Sequence, residues 1–467
     1  MWNLVEKLSI KFVRFFLGII MARILLPEDF GLIGMLSVFV AIAQVLTESG
    51  MGAGLIQKND RSDDDFSTVL IFNFIVSVLC YIMIFIFAPF IASFFEKPEL
   101  VLITRVLTLN IVINSMVIVQ RTKMIIEFDF KTIAKINFIA IFISGISGVL
   151  FAYFGYGVWA LVIQNLLFSI FTTFLFWVLS RWRFSLVFST NSFNNLFSYG
   201  YKLLFSGVLV HTLNNLYNII IGKYYSASEL GYYTRAKGFV DLAEGTFSGI
   251  IQSVSFPLLS SLQQDKIQLI LVFKKMIRMS AFVIFPAMCL LAILAEPIVI
   301  LLLTKKWIFV VPLLQYLAIA RIFYSLSLIN MSILKSIGRS DLFLKVDFLK
   351  IPIIGLVLLI CLNYGIIFLV IGQIVISAFD YIINTYYPGK ILGYGFLNQL
   401  KDLLPIVLLT SVTSSVVYFL SISIEHNLLN IFFSSVIMVT IYLGLSYFFK
   451  FKELEEIIRL LKIQKNI

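Results

Sequence analysis

Apolar residues run along this chain in stretches of about 20 or more, the length an α-helix needs to cross a bilayer. About fourteen such stretches are separated by short polar connections. Their cores are Leu4 to Leu26, Gly31 to Ser49, Thr68 to Phe95, Val101 to Gln120, Ala134 to Phe154, Tyr156 to Ser180 and Leu196 to Gly222. The second half supplies Gly231 to Leu259, Met279 to Leu303, Val310 to Leu334, Leu342 to Leu362, Gly365 to Tyr387, Leu403 to Leu420 and Leu429 to Phe449. The pattern predicts an all-α polytopic membrane protein. Charges or prolines interrupt the second, eighth and ninth stretches. Beyond the last one, Lys452, Glu455, Glu456, Arg459 and Lys462 alternate with Leu454, Ile457, Ile458, Leu461 and Ile463 at helical spacing, which predicts an amphipathic helix on the inner membrane surface.

The stretches also repeat. Gly18 to Phe30 matches Asn218 to Leu230 at an offset of two hundred positions, pairing Ile19 and Ile20 with Ile219 and Ile220, Arg23 with Lys223, and Asp29 with Glu229. The match continues through Gly31 and Gly231, and through Phe39-Val40 and Phe239-Val240. An internal duplication follows, and in membrane transporters the interface between such repeats commonly holds the cargo.

Composition agrees, with 60% hydrophobic residues and only 13% charged. The net charge of +11 would otherwise raise the question of nucleic acid. Its placement answers it: with a cytoplasmic N-terminus, the inner loops hold Lys58 and Arg61, Arg121 to Lys135, Arg181 and Arg183, Lys266 to Arg278, Lys335 to Lys345, Lys390 and Lys401, and the tail from Lys450 to Lys465. Outer loops keep chiefly Lys97, Lys305 and Lys306. This obeys the positive-inside rule, places both termini in the cytoplasm and assigns the basic residues to anionic lipid, with no nucleic-acid partner. The first stretch, with Lys7, Lys11 and Arg14 and no small-residue cleavage site, is expected to remain as a membrane helix rather than a signal peptide.

Conventional catalytic chemistry is not evident. Gly389-Lys390 precedes Ile391 and Gly222-Lys223 precedes Tyr224, so neither is a phosphate-binding loop. Two histidines, His211 and His426, and three scattered cysteines, Cys80, Cys289 and Cys361, build no metal site. No catalytic residue and no cofactor is expected, with coupling to H+ or Na+ left open.

Polar residues inside the stretches are the candidates for function. Gly207, His211, Asn214 and Asn218 share one face of the seventh, and Lys237, Asp241, Glu244, Ser248 and Gln252 share one face of the eighth, with Arg235 nearby. Charges in hydrocarbon are costly unless paired or hydrated, so these residues should face inward. Lys202 and Arg321 add cations at depth. A cationic and polar cavity of Lys202, His211, Asn214, Asn218, Arg235, Lys237 and Arg321 is expected, with Asp241 and Glu244 balancing charge or binding a coupling ion. The alternative is that Lys237, Asp241 and Glu244 neutralise one another along a buried face. Lys7, Lys11 and Arg14 form a further stripe that suits an anionic head group or snorkels to lipid.

Three segments carry a family resemblance: Ala22-Arg23-Ile24-Leu25-Leu26-Pro27-Glu28-Asp29-Phe30-Gly31, Ser49 to Lys58, and Ile221-Gly222-Lys223-Tyr224 with Leu230 to Tyr233. Together with Tyr156-Gly157-Val158-Trp159-Ala160-Leu161, they resemble the polysaccharide flippases of the Wzx and teichuronic acid exporter type. These belong to a superfamily shared with multidrug exporters of the MATE kind and the lipid II flippase. The resemblance implies two six-helix bundles in a parallel pseudo-two-fold repeat, over residues 1–190 and 191–390, then two extra helices over 391–450 and a cytoplasmic tail over 451–467. It further implies a bacterial inner-membrane transporter, not an enzyme, that moves undecaprenyl-diphosphate-linked oligosaccharide by alternating access. Glycan polymerase or assembly proteins would be its partners. A cation-coupled drug exporter using Glu48, Asp241, Glu244 or Asp380 is the alternative. A membrane glycan polymerase is disfavoured by short outer connections such as Phe154 to Tyr156 and Asn363 to Gly365.

Overall fold

A computed structural model describes the backbone of residues 2–464 except 181, 183 and 338. Within that range it leaves out the side chains of 2–9, 199, 202, 203, 246, 250–254, 256, 257, 340, 341, 343, 344 and 460–464. The described backbone is helical, with no strand among the described residues. In chain order the helices are α1 Trp2–Ile24, α2 Pro27–Glu48, α3 Met51–Gln57, α4 Asp63–Phe95, α5 Leu100–Leu107, α6 Leu109–Ser115, α7 Ile118–Ile126, α8 Phe130–Tyr153, α9 Val158–Leu179 and α10 Thr190–Tyr224. They continue as α11 Ala227–Ser261, α12 Lys266–Ile293, α13 Ala295–Leu303, α14 Val310–Ser336, α15 Ser340–Cys361, α16 Ile366–Leu392, α17 Phe396–Ile422, α18 Asn427–Phe448 and α19 Lys452–Gln464.

Each of the fourteen apolar stretches is largely helical. Among the described residues, twelve helical segments are long and apolar enough to cross a membrane, and the protein is a multi-pass membrane protein. The stretches Leu4 to Leu26 and Gly231 to Leu259 form α1 and α11 but fall outside those twelve. In α11 the cause is visible: Lys237, Asp241 and Glu244 stand within two helical turns. The hydropathy pattern also hid breaks. Val101 to Gln120 is divided among α5, α6 and α7, and Met279 to Leu303 is divided at Leu294 between α12 and α13.

The chain folds as two compact units, Met1–Thr234 and Arg235–Ile467, with the border inside α11. In the first unit α1 packs on α8, α8 on α9, and α10 along α2 and α3. The docking of α10 on α2 places the whole of α10 with the first unit. A core of Met51, Leu55, Phe66, Val69, Val119, Trp182 and Leu196 closes one end of it. In the second unit α12 packs on α14 and α17, and α14 on α16. Phe273, Ile277, Phe282, Leu326, Ile329, Ile333, Tyr381 and Tyr442 form its core.

Helix ends follow local chemistry. Ser62 caps α4 by accepting from the Asp65 amide, while the Asp65 carboxylate accepts from the Ser62 amide and from Lys58 at 2.6 Å. This is a capping box, and it gives the acidic run Asp63 to Asp65 its cap role.

The duplicated segment shows the same structure twice. α1 ends at Ile24 and α2 begins at Pro27, while α10 ends at Tyr224 and α11 begins at Ala227, two hundred positions on. The Leu26 amide donates to Asp29 Oδ2 and the Ser226 amide to Glu229 Oε2, each at 2.9 Å. Within the first unit the two joints also meet reciprocally. A Cβ on Gly31 would lie 1.7 Å from the Ala227 carbonyl oxygen, and one on Gly231 would lie 1.8 Å from that of Pro27. Only glycine permits backbone to approach this closely. Ion pairs brace the same end, Lys97 to Glu28 at 2.6 Å and Lys223 to Glu96 at 2.9 Å. The hydrogen bond from Lys223, and then its charge, holds the Glu96 carboxyl below the usual carboxylate range.

Candidate functional site

In the second unit, charged side chains of α11 meet α14 inside the spans. Arg321 donates to Asp241 Oδ1 at 2.5 Å, and its guanidinium stands 4.9 Å from the centre of the Tyr324 ring. The cation is thus held by a carboxylate on one side and an aromatic ring on the other. Lys237, one turn before Asp241, is half-buried and within electrostatic reach of both Asp241 and Arg321. Arg235 is half-buried near the start of this unit.

Glu244 lies one turn beyond Asp241 and is buried. It accepts hydrogen bonds from the hydroxyls of Ser248 on its own helix and Ser325 on α14, the latter at 3.2 Å. The single Ser325 hydroxyl proton is shared between Glu244 and the Arg321 carbonyl, 3.1 Å away, which sets the two carboxylates on successive turns of one ladder facing α14. No ion pair to Glu244 occurs among the described residues, so hydroxyls rather than a cation solvate it. Asp380 on α16 lies within electrostatic reach of Tyr324, which extends the charged surface to a third helix. Glu48, by contrast, is exposed at the end of α2 in the first unit.

Of the residues proposed from sequence on α10, Asn218 is joined to a neighbouring helix. Asn218 is buried and donates to Ser37 Oγ on α2 at 2.9 Å, while Ser37 donates to Asn215 Oδ1 at 3.2 Å. The Asn218 side-chain oxygen is buried without a hydrogen-bond partner. His211 and Asn214 are exposed on the same helix. Gly207, a turn earlier, brings α10 close to α2, because a Cβ there would lie 2.9 Å from Val45. The side chains of Lys202 and Gln252 lie outside those described.

Sequence reading missed Asn215, Tyr324 and Ser325. Each sits three or four positions from a residue it did single out, which is the helical signal that would have found it. It also missed a neutral buried network. Gln399 exchanges hydrogen bonds with Asn330 at 2.8 and 3.2 Å and accepts from the Tyr381 hydroxyl at 2.8 Å, tying α14, α16 and α17 together. Among the described residues, no group of His, Cys, Asp and Glu could hold a metal ion.

The chain is similar to known proteins. Residues 20–312 match the family described as "Polysaccharide biosynthesis protein". The chain is 26% identical to the teichuronic acid biosynthesis protein TuaB of Bacillus subtilis, over 82% of this chain and 80% of that one. It is 22% identical to the succinoglycan biosynthesis transport protein ExoT of Rhizobium meliloti, over 68% and 65% of the two chains. Among solved structures it is similar to the lipid II flippase MurJ in its inward closed conformation, with a TM-score of 0.77, 16% identity and coverage of 96% and 98%. That likeness assigns the fold, and the match over residues 20–312 assigns the lineage: the chain belongs to the polysaccharide biosynthesis protein family.

Proposed function

We propose that this protein is a membrane transporter that flips lipid-linked oligosaccharide, carried on undecaprenyl diphosphate, from the cytoplasmic to the outer leaflet of a bacterial inner membrane. The observation that carries the reading is Arg321, a guanidinium within a span, poised between Asp241 and Tyr324. An anionic diphosphate needs a cationic, hydrated passage while its polyprenyl tail stays in lipid, and a bidentate guanidinium is the side chain best suited to phosphate oxygens. Lys237 and Arg235 extend the cationic surface along α11. The names of TuaB, ExoT and MurJ, which speak of glycan biosynthesis, transport and flipping, support the same substrate class. The basic loops face the cytoplasm in this reading, with both termini there, and glycan polymerase or assembly proteins receive the product.

The test is leaflet-resolved measurement of undecaprenyl diphosphate oligosaccharide in cells lacking the protein. Accumulation at the cytoplasmic face, relieved by complementation, is expected. A normal distribution together with lost drug efflux would replace this reading with a multidrug exporter.

Glu244 is the carboxylate we assign to coupling, because serine hydroxyls rather than a cation surround it and leave room for a proton or sodium ion. Glu244→Gln keeps the shape and removes the charge. Transport by this variant in vesicles is expected to lose its dependence on the ion gradient, with at least a tenfold fall in gradient-driven rate, the scale of one lost ionic interaction. A variant that responds to the gradient as the parent does removes Glu244 from the coupling step.

A further inference from the structure

α19 is more than a solvated tail. After the left-handed turn at Lys450, the helix returns against α12. Leu454 enters the second unit's core beside Phe282 and Tyr442. Glu453 pairs with Arg278, and Glu456 pairs with Lys275 at 2.5 Å. Lys274, the third cation of this α12 stretch, is taken by Asp402 of α17 at 2.8 Å.

Between α12 and α19 these contacts border an open cleft of about 460 Å³ whose lining includes Leu271, Arg278, Lys452, Glu453, Glu455 and Arg459. Three features define what fits it. Lys452 and Arg459, two turns apart on α19, are exposed and make no ion pair among the described residues; with Glu455 also in the lining, the groups left unpaired carry a net positive charge. Glu453 is 4% exposed, and its second carboxylate oxygen, Oε2, has no hydrogen-bond partner among the described residues. A buried acceptor left unmet costs free energy that a ligand donor would recover. The lining also has an apolar part: Leu271, which is 62% exposed, and Met279. That part suits acyl chains.

We infer that the cleft between α12 and α19 binds a phospholipid headgroup whose phosphodiester is held by Lys452 and Arg459 and whose terminal hydroxyl or ammonium donates to Glu453 Oε2. Phosphatidylethanolamine and phosphatidylglycerol meet both demands. Phosphatidylcholine carries the same phosphodiester but its trimethylammonium has no N–H or O–H to give. Basic pockets at the cytoplasmic surface are recurrent headgroup sites, and the orphan carboxylate adds selectivity to that general attraction. The site is separate from the Arg321–Asp241 ladder and does not depend on the proposed flipping activity.

Native mass spectrometry of the full-length protein in detergent, titrated with dioleoyl phosphatidylethanolamine, phosphatidylglycerol and phosphatidylcholine, tests the inference. The first two are expected to bind about tenfold more tightly than the third, the worth of one good hydrogen bond to a charged group. A Lys452→Ala/Arg459→Ala double variant, which breaks no ion pair among the described residues, is expected to weaken both by about tenfold or more. Glu453→Gln should bring phosphatidylethanolamine down to the level of phosphatidylcholine. Equal binding of all three lipids, or a double variant that binds like the parent, overturns the site. So does glycerol phosphate binding as tightly as the lipids, since the ligand would then be a soluble phosphate.

Discussion

Gly31→Ala is expected to cut export about tenfold or more while Gly238→Ala leaves it intact. Both glycines lie in helices, where alanine is the better residue by about 1 kcal/mol, so propensity alone predicts mild stabilisation at both. Space decides otherwise. Nothing lies within 4 Å of a Cβ at Gly238, whereas at Gly31 it would stand 1.7 Å from the Ala227 carbonyl oxygen. Reaching ordinary contact requires the start of α2 to move by more than about 1 Å from Ala227, and overpacking of that kind costs about 1–3 kcal/mol. If alternating access requires this joint to be closed in one of two conformations, that cost lowers the closed population by about tenfold or more. Gly231→Ala, the repeat mate, is expected to behave like Gly31→Ala because its Cβ meets Pro27 in the same way. Glycan export in cells, normalised to protein in the membrane, is the measurement. Wild-type export by both variants would mean that the joint opens without consequence.

The same joint shows what the sequence made legible. The offset of two hundred positions located both copies, because the Asp29 and Glu229 carboxylates that cap the following helices are local features. Helical stretches were legible for the same reason: membrane spans are long and apolar. Breaks inside them were not. Leu294 parts α12 from α13 beside Glu296 and Pro297, a local interruption that hydropathy averages away over so long a run. Nor did it mark the full lengths of α10 and α11, each of 35 residues or about 52 Å, well beyond a hydrocarbon core of about 30 Å.

For the site, periodicity gave faces but not partners. Lys237, Asp241 and Glu244 fell on one face of α11 by spacing, yet their neighbours Arg321 and Ser325 lie about eighty residues away on α14. Ser37 received no attention because serine in a membrane helix commonly bonds its own backbone, as Ser37 also does with the Gly34 carbonyl at 2.6 Å. Its second role, joining Asn215 and Asn218 of α10, depends on tertiary packing.

That limit makes the Arg321–Asp241 pair the place where structural and functional roles must be separated by experiment. Arg321→Ala is expected to lower stability by about 2 kcal/mol, below the cost of breaking a fully buried ion pair because the two side chains are 22% and 44% exposed. It leaves Asp241 without its ion-pair partner one turn from the buried Glu244, with Lys237 the cation still in reach. The paired neutral variant Asp241→Asn/Arg321→Gln removes both charges and is expected to melt close to the parent. The exchange Asp241→Arg/Arg321→Asp keeps the pair with its polarity reversed, and it should recover most of the stability lost in Arg321→Ala. Export divides the two roles. A guanidinium that contacts the diphosphate must stand on α14 beside Tyr324, so the stable exchange and the stable neutral pair are both expected to export at least about tenfold less than the parent, the loss of one charge-assisted contact in the transition state. Should either regain full export along with its stability, Arg321 serves α11 alone and the headgroup passes elsewhere.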